Sequence, residues 1–297
     1  MNLYVINLDR VPERWEKMVC HFHAVGLAPI RFSAVDAWDR KALDRSHYAP
    51  HRGDRWELND SLIACFESHR KVWQLVVDLE LPCAAIFEDD VVLSEEMPAV
   101  LEALHQRAVD FDVVKLDTVR SISRLGPPAK LGDFDLRRIW INAPSAAAYV
   151  VSQSGARRLL DWSVEFCDHT DDFIFWQRPE WMVLQLFPAV AMQMAFLSED
   201  ERKGLCISDE RVWGSERTSD IRINRKVSKG PPWFRLRKEI LRLRRRIFWK
   251  SFGDRRLLAK GGFVGTCPFR AKMTDGSEPG VGSLHDAPSA EVVLPNP

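Results

Sequence analysis

Cys83-Ala84-Ala85-Ile86-Phe87-Glu88-Asp89-Asp90 is an apolar run that passes directly into three carboxylates. Five uncharged residues suit a strand buried on both faces, as in a parallel sheet covered by helices. Three adjacent acids at its end repel one another and need water or a cation. A divalent ion with hard oxygen ligands is the natural neutraliser. In open α/β sheets, ligands bind at the carboxyl ends of the strands. Taken alone, the triplet also fits a solvated acidic turn that opens the next helix.

The flanking sequence repeats the alternation. Leu3–Leu8 reads as a buried first strand and Glu13–His23 as a helix, with Pro12 near its first turn and Gly26 at its end. Pro29–Val35 is a second strand and Ser61–Leu79 a long helix before the acidic strand. Helix Glu95–Arg107, strand Asp112–Leu116, strand Ser145–Val151 and helix Ser154–Trp162 follow. Strand, helix, strand in this order predicts an α/β fold with a mostly parallel, Rossmann-like sheet flanked by helices.

Charge divides the chain more sharply than hydropathy does. The formal net charge is zero, yet residues 1–221 hold 25 Lys and Arg against 36 Asp and Glu, and residues 222–256 hold 14 against 2. Within the basic stretch, Trp233, Leu236, Ile240, Leu243 and Ile247 recur at helical spacing among arginines. Such a basic amphipathic helix suits an anionic membrane surface, or else packs on the acidic body. Nucleic acid is not expected as a partner, because no nucleic-acid-binding motif accompanies the charge. The organisation read is a domain over 1–228, a helical extension over 229–256 and an unstructured tail over 257–297. Six scattered cysteines without a CxxC pair argue against a zinc ribbon and for reduced thiols. No apolar stretch reaches membrane-spanning length and the start lacks a signal-peptide pattern, so the cytoplasm is the expected compartment, with peripheral attachment to an inner membrane.

Several blocks in order resemble glycosyltransferase family 25, the lipooligosaccharide galactosyltransferase family to which collagen galactosyltransferases are related. They are Ile6-Asn7-Leu8-Asp9-Arg10, Arg31-Phe32-Ser33-Ala34-Val35-Asp36-Ala37, Ala64-Cys65-Phe66-Glu67-Ser68-His69, Ala85–Val91, Asp112–Leu116, Ala148–Val151 and Thr170-Asp171. The resemblance implies a GT-A-like fold, a UDP-sugar donor, most simply UDP-galactose, and Mn²⁺ or Mg²⁺. The acceptor would be a glycan or glycolipid of the lipopolysaccharide class, and transfer would invert the anomeric centre. Asp90, with Glu88, would hold the metal. Asn7, Arg10, Arg14, Asp36, Glu88, Asp89 and His69 would face the nucleotide donor. Asp171, or Asp172 beside it, would accept the acceptor's proton.

Plainer roles stand beside each of these. Arg14 suits a solvated helix face, Asp36 a turn cap, His69 a structural hydrogen bond, and Asp171 and Asp172 a helix N-terminus. His169-Thr170 stands where the family has Pro-Val, and Ser61-Leu62 where it has Gly-Glu. A glycan-binding relative without activity and a metal-dependent phosphohydrolase remain the alternative readings.

Overall fold

The computed structural model describes residues 1–39, 41, 43–107, 111–141, 143–198 and 227–270. Nine strands form the central sheet in the order β12-β7-β8-β10-β5-β9-β3-β1-β2. Its middle is built from β1 (Asn2–Asn7), β2 (Ile30–Ser33), β3 (Cys83–Glu88), β5 (Val113–Lys115), β9 (Ala148–Ser152) and β10 (Val183–Phe187). Alternate residues of the central strands point to opposite faces. Tyr4, Ile6, Ala84, Ile86, Tyr149 and Val151 enter one core. Leu3, Val5, Ala85, Phe87, Ala148 and Val150 enter the other. Both faces being apolar is what the uninterrupted hydrophobic runs require.

Helices cover the two cores. On the first face lies α2 (Asp60–Asp78), started by Asn59, whose side chain accepts the Leu62 N–H. Its residues Ile63, Phe66, Val72, Trp73 and Val76 are buried. Beside it pack α4 (Gln153–Trp162) and the short α5 (Thr170–Ile174). The second face carries α1 (Pro12–Ala24), with Met18 and Phe22 buried, and α3 (Met97–His105).

The sheet is mixed rather than mostly parallel. β1 pairs in parallel with β2 and β3, and β10 with β5, whereas β9 runs antiparallel between β3 and β5. The expected Ser145–Val151 strand is therefore present as β9 but reversed. A hairpin accounts for the rest: β7 (Ile122–Leu131) and β8 (Phe134–Ile139) join through Gly132-Asp133, with Gly132 in the left-handed region at φ 56°. A glycine there is what a two-residue hairpin turn needs. These antiparallel additions extend the sheet beyond the strand–helix–strand units that the alternation predicts.

The chain beyond 257 departs from the expected tail. After α6 (Pro232–Phe248) and a π-helical segment Trp249–Gly253, α7 (Asp254–Ala259) leads into β12 (Phe263–Thr266). β12 pairs with β7 at the sheet edge, and Phe263 packs edge-on against Phe187 at 4.8 Å between ring centroids. Leu257 and Cys267 are buried. An unpaired sheet edge and an apolar surface recruit these residues even though their composition is poor in apolar residues. Residues 271–297 of the expected tail lie outside the described residues.

A second, three-stranded sheet holds β4 (Val91–Leu93), β11 (Ala191–Gln193) and β6 (Asp117–Thr118), with β11 in the middle. β3 ends in the large sheet at Glu88, and β4 begins in the small one at Val91. Asp89 and Asp90 are the junction between the sheets.

His21 of α1 fixes that junction from below, its Nε2 accepting the Leu93 N–H at 2.7 Å. Burial pushes the imidazole pKa down to about 4. The folded state holds His21 neutral while the unfolded chain protonates it near its ordinary value, so this contribution to stability is complete above pH 6.5 and is lost as pH falls toward 4. The loss should reach about 3 kcal/mol. Urea unfolding across that range should show it, and His21→Gln should flatten that part of the profile.

Candidate active site

The cleft at the carboxyl ends of β1 and β3 has a volume of about 310 Å³. Arg10, Arg14, Asp36, His69, Glu88, Asp89 and Asp90 all line it. The structure therefore gathers most of the residues the sequence singles out, but it gives them different positions.

The three acids are sorted. Asp89 turns toward β1 and α1: Asn7 Nδ2 donates to its Oδ2 at 2.8 Å, and Arg14 donates to its Oδ1 at 3.1 Å. Burial raises the Asp89 pKa, and Arg14 and Asn7 offset that only in part. Glu88 and Asp90 turn the other way. Gln193 Nε2 donates to Glu88 Oε2 at 3.0 Å and to the Asp90 carboxylate at 3.2 and 3.3 Å. Two carboxylates that share one amide nitrogen are close enough to share one cation. Their hard oxygens match Mg²⁺ or Mn²⁺. Glu88 and Asp90 thus fit a divalent ion, and Asp89 is committed elsewhere.

Asn7 is buried, and its amide is occupied. Nδ2 donates to Asp89 and to the Val11 carbonyl, and Oδ1 accepts two N–H groups of Arg31. It holds the junction instead of reaching a nucleotide. Arg14 is buried under the same junction. Arg10 stays at the rim, with Nε donating to Asp36 at 2.8 Å and the guanidinium lying over Trp38 at 4.8 Å. Asp36 also accepts the Trp38 N–H, the local cap that its position after β2 suggests.

His69 is buried between α2 and the sheet. Its Nδ1 lies 2.8 Å from the Tyr149 hydroxyl, and its Nε2 lies 3.6 Å from Glu88 Oε1. Burial works against charge on the ring, while Tyr149, Cys65 and Glu88 favour it, and the balance lies well above the ordinary imidazole value. His69 Nε2 faces Glu88 and helps to orient it. Cys65, His69 and Glu88 offer ligand atoms within 4.8 Å of one another. That softer set shares Glu88 with the carboxylate pair, and a hard ion prefers the two carboxylates.

Asp171 and Asp172 do not line this cleft. Asp171 Oδ2 accepts the Ser145 N–H at 2.9 Å, and Asp172 pairs with Arg55 at 2.8 Å. Asp172 faces a separate cleft between α5 and α6. Asp171 nonetheless reaches the acids indirectly, because Ser145 Oγ donates to Gln193 Oε1 at 3.1 Å. Ser145 sits in the left-handed region at φ 73°, which is uncommon for a residue with a side chain. Its N–H is held by Asp171, and its carbonyl accepts from the buried Lys115, which also pairs with Asp117 at 2.6 Å.

Gln193 and Ser145 carry no signal in the sequence. Gln193 is an isolated amide after an apolar strand, and only the pairing of β11 with β4, which sets it opposite Val91, brings it to the acids.

Residues 1–125 match the family model described as glycosyltransferase family 25 (LPS biosynthesis protein). These 125 residues are similar to that family. The family 25 segment contains β1 to β4, Glu88 and Asp90, whereas Gln193, Asp171 and α6 lie beyond it. A putative glycosyltransferase of Haemophilus influenzae is 26% identical over 232 residues, covering 73% of this chain and 80% of that protein. The lacto-N-neotetraose biosynthesis glycosyltransferase LgtE of Neisseria gonorrhoeae is 25% identical over 283 residues, covering 88% of this chain and all of that protein. A glycosyltransferase 25 family member of Drosophila pseudoobscura is 36% identical over 98 residues, 30% of this chain and only 16% of that protein. The segment that matches the family model is the one that carries the acids.

Replacing Arg14 by Met should leave Asp89 buried without its cation. A destabilisation of about 3 kcal/mol at pH 8 is expected. Because protonation of Asp89 removes the unpaired charge, the deficit should narrow as pH falls toward 5. Urea titrations of both proteins at the two pH values check this.

Proposed function

We propose that the chain is a metal-dependent glycosyltransferase of GT-A type that moves a hexose, galactose first among the candidates, from a UDP-sugar to a lipopolysaccharide or lipooligosaccharide acceptor with inversion. The reading places the enzyme in the cytoplasm. The observation that carries it is the convergence of Glu88 and Asp90 on one amide nitrogen at the carboxyl end of β3. The matched family segment and the named bacterial relatives support the same chemistry.

Glu88 and Asp90 would hold Mn²⁺ or Mg²⁺, which when bound supplies positive charge to a departing nucleoside diphosphate. Arg10 adds a guanidinium at the rim of the same cleft, where it can meet phosphate oxygens. Asp36 holds Arg10 in place and faces the cleft where a ribose hydroxyl would donate. His69, steadied by Tyr149, keeps Glu88 turned inward. Asp171 is a positioning residue in this scheme. It fixes Ser145, Ser145 fixes Gln193, and Gln193 spans the two carboxylates. The separate cleft lined by Asp172 and Arg55 would take the acceptor.

Asp90→Asn should lower transfer by about 100-fold or more with thermal unfolding unchanged, and chelation of divalent ions should have the same effect on the wild type. Full activity of Asp90→Asn in saturating Mn²⁺ would remove the metal role. A panel of UDP-galactose, UDP-glucose and UDP-N-acetylhexosamines identifies the donor. Release of inorganic phosphate without an acceptor would instead favour the phosphohydrolase reading.

A further inference from the structure

The amphipathic helix α6 is mounted the wrong way round for a soluble protein. It carries seven Arg and Lys against the single acid Glu239. Its contacts with the body come from one side. Phe234 meets Trp56 at 5.1 Å, Lys238 pairs with Asp54 at 2.9 Å, and Arg245 lies over Trp176 at 5.0 Å. Leu241 faces the same cleft. At about 100° per residue these four positions fall within an arc of about 60°.

Trp233, Leu236, Ile240, Leu243 and Ile247 fall within another arc, of about 80°, on the far side of the helix. Each exposes between 47 and 62% of its surface. Trp233 touches Trp56 at its end of the helix, and no residue of α6 is buried. An amphipathic helix that packs on its own domain normally hides its apolar stripe. Here a mixed face of Phe234, Leu241, Lys238 and Arg245 seats the helix, and among the described residues the apolar stripe is left outward.

We propose that this stripe is a docking face for an anionic lipid bilayer. Arg235 and Arg246 flank it on one side and Arg244 on the other, and Glu239, the acid on the first edge, is paired with Arg242, so apolar entry would bring net positive charge to the headgroups along both edges. Among the described residues no helix is long and apolar enough to cross a membrane, so the contact is with the surface. A second copy of the chain is a poorer occupant. Two-fold pairing of the stripes would set the arginine edges of both helices against each other. The orientation also makes the contact apolar first: charge selects the lipid, and burial of the stripe holds it.

Co-sedimentation of the full chain with vesicles of phosphatidylethanolamine and phosphatidylglycerol tests this. Wild type should bind them and should bind phosphatidylcholine vesicles at least tenfold less. Leu236→Gln/Ile240→Gln/Leu243→Gln should lose at least tenfold in binding to the anionic vesicles with its melting temperature unchanged. Arg235→Gln/Arg244→Gln/Arg246→Gln should lose the preference for anionic lipid. Unaltered binding by the triple apolar variant would overturn the proposal. So would absence of wild-type binding, or a wild-type dimer that the same variant converts to monomer in sedimentation velocity. Vesicle binding is read without turnover, so its outcome is separate from any outcome on transfer.

Discussion

The ion pair between Arg14 and Asp89 organises the site. Three carboxylates in sequence at one cleft repel one another unless each finds a partner. The fold resolves this by tying the middle one to α1 and β1. Asn7 and Arg14 accomplish that from beneath the sheet. With Asp89 withdrawn, Glu88 and Asp90 are left on a common side, spaced for one shared partner. The sorting happens in the two-residue turn between β3 and β4.

Much of this was legible in the sequence, for a physical reason. An apolar run that ends in acids specifies both burial and an edge, and the family blocks set the order of the elements around it. Helices α1, α2 and α4 and strands β1, β2, β3, β5 and β9 fall close to their expected spans, because each is a periodic apolar pattern closed by turn residues. The direction of β9 was not legible. Its five residues are buried whichever way they run, and only the pairing of Cys83 with Ser152 and Val113 with Val151 reveals the reversal. β12 was hidden because four residues among glycines give no pattern until β7 offers them an edge.

The site shows the same division. Glu88, Asp90, Arg10 and Asp36 were found at the cleft because their types and positions after strands announce a ligand edge. Asn7 and Arg14 were found too, and the structure ties both to Asp89. Gln193 and Ser145 were invisible, since a lone amide and a lone hydroxyl have no periodicity. Asp171 stands out by its place in the family blocks, and its carboxylate serves a backbone N–H two elements away. Residues whose function is to hold others are written in tertiary pairing.

Glu88 closes a strand of one sheet, and the residue after Asp90 opens a strand of the other. The two halves of the carboxylate pair therefore sit on separate plates joined by two residues. The gap between them is set by how the plates are bolted together, through Gln193 on β11, the Met194 N–H to the Asp90 carbonyl and the Leu116 carbonyl that receives β11. In the proposed metal site, ion selectivity would become a property of sheet-to-sheet spacing. A repacked side chain at Val92 or Met192, which pack together in the small core between these strands, would retune it like the jaw screw of a vice.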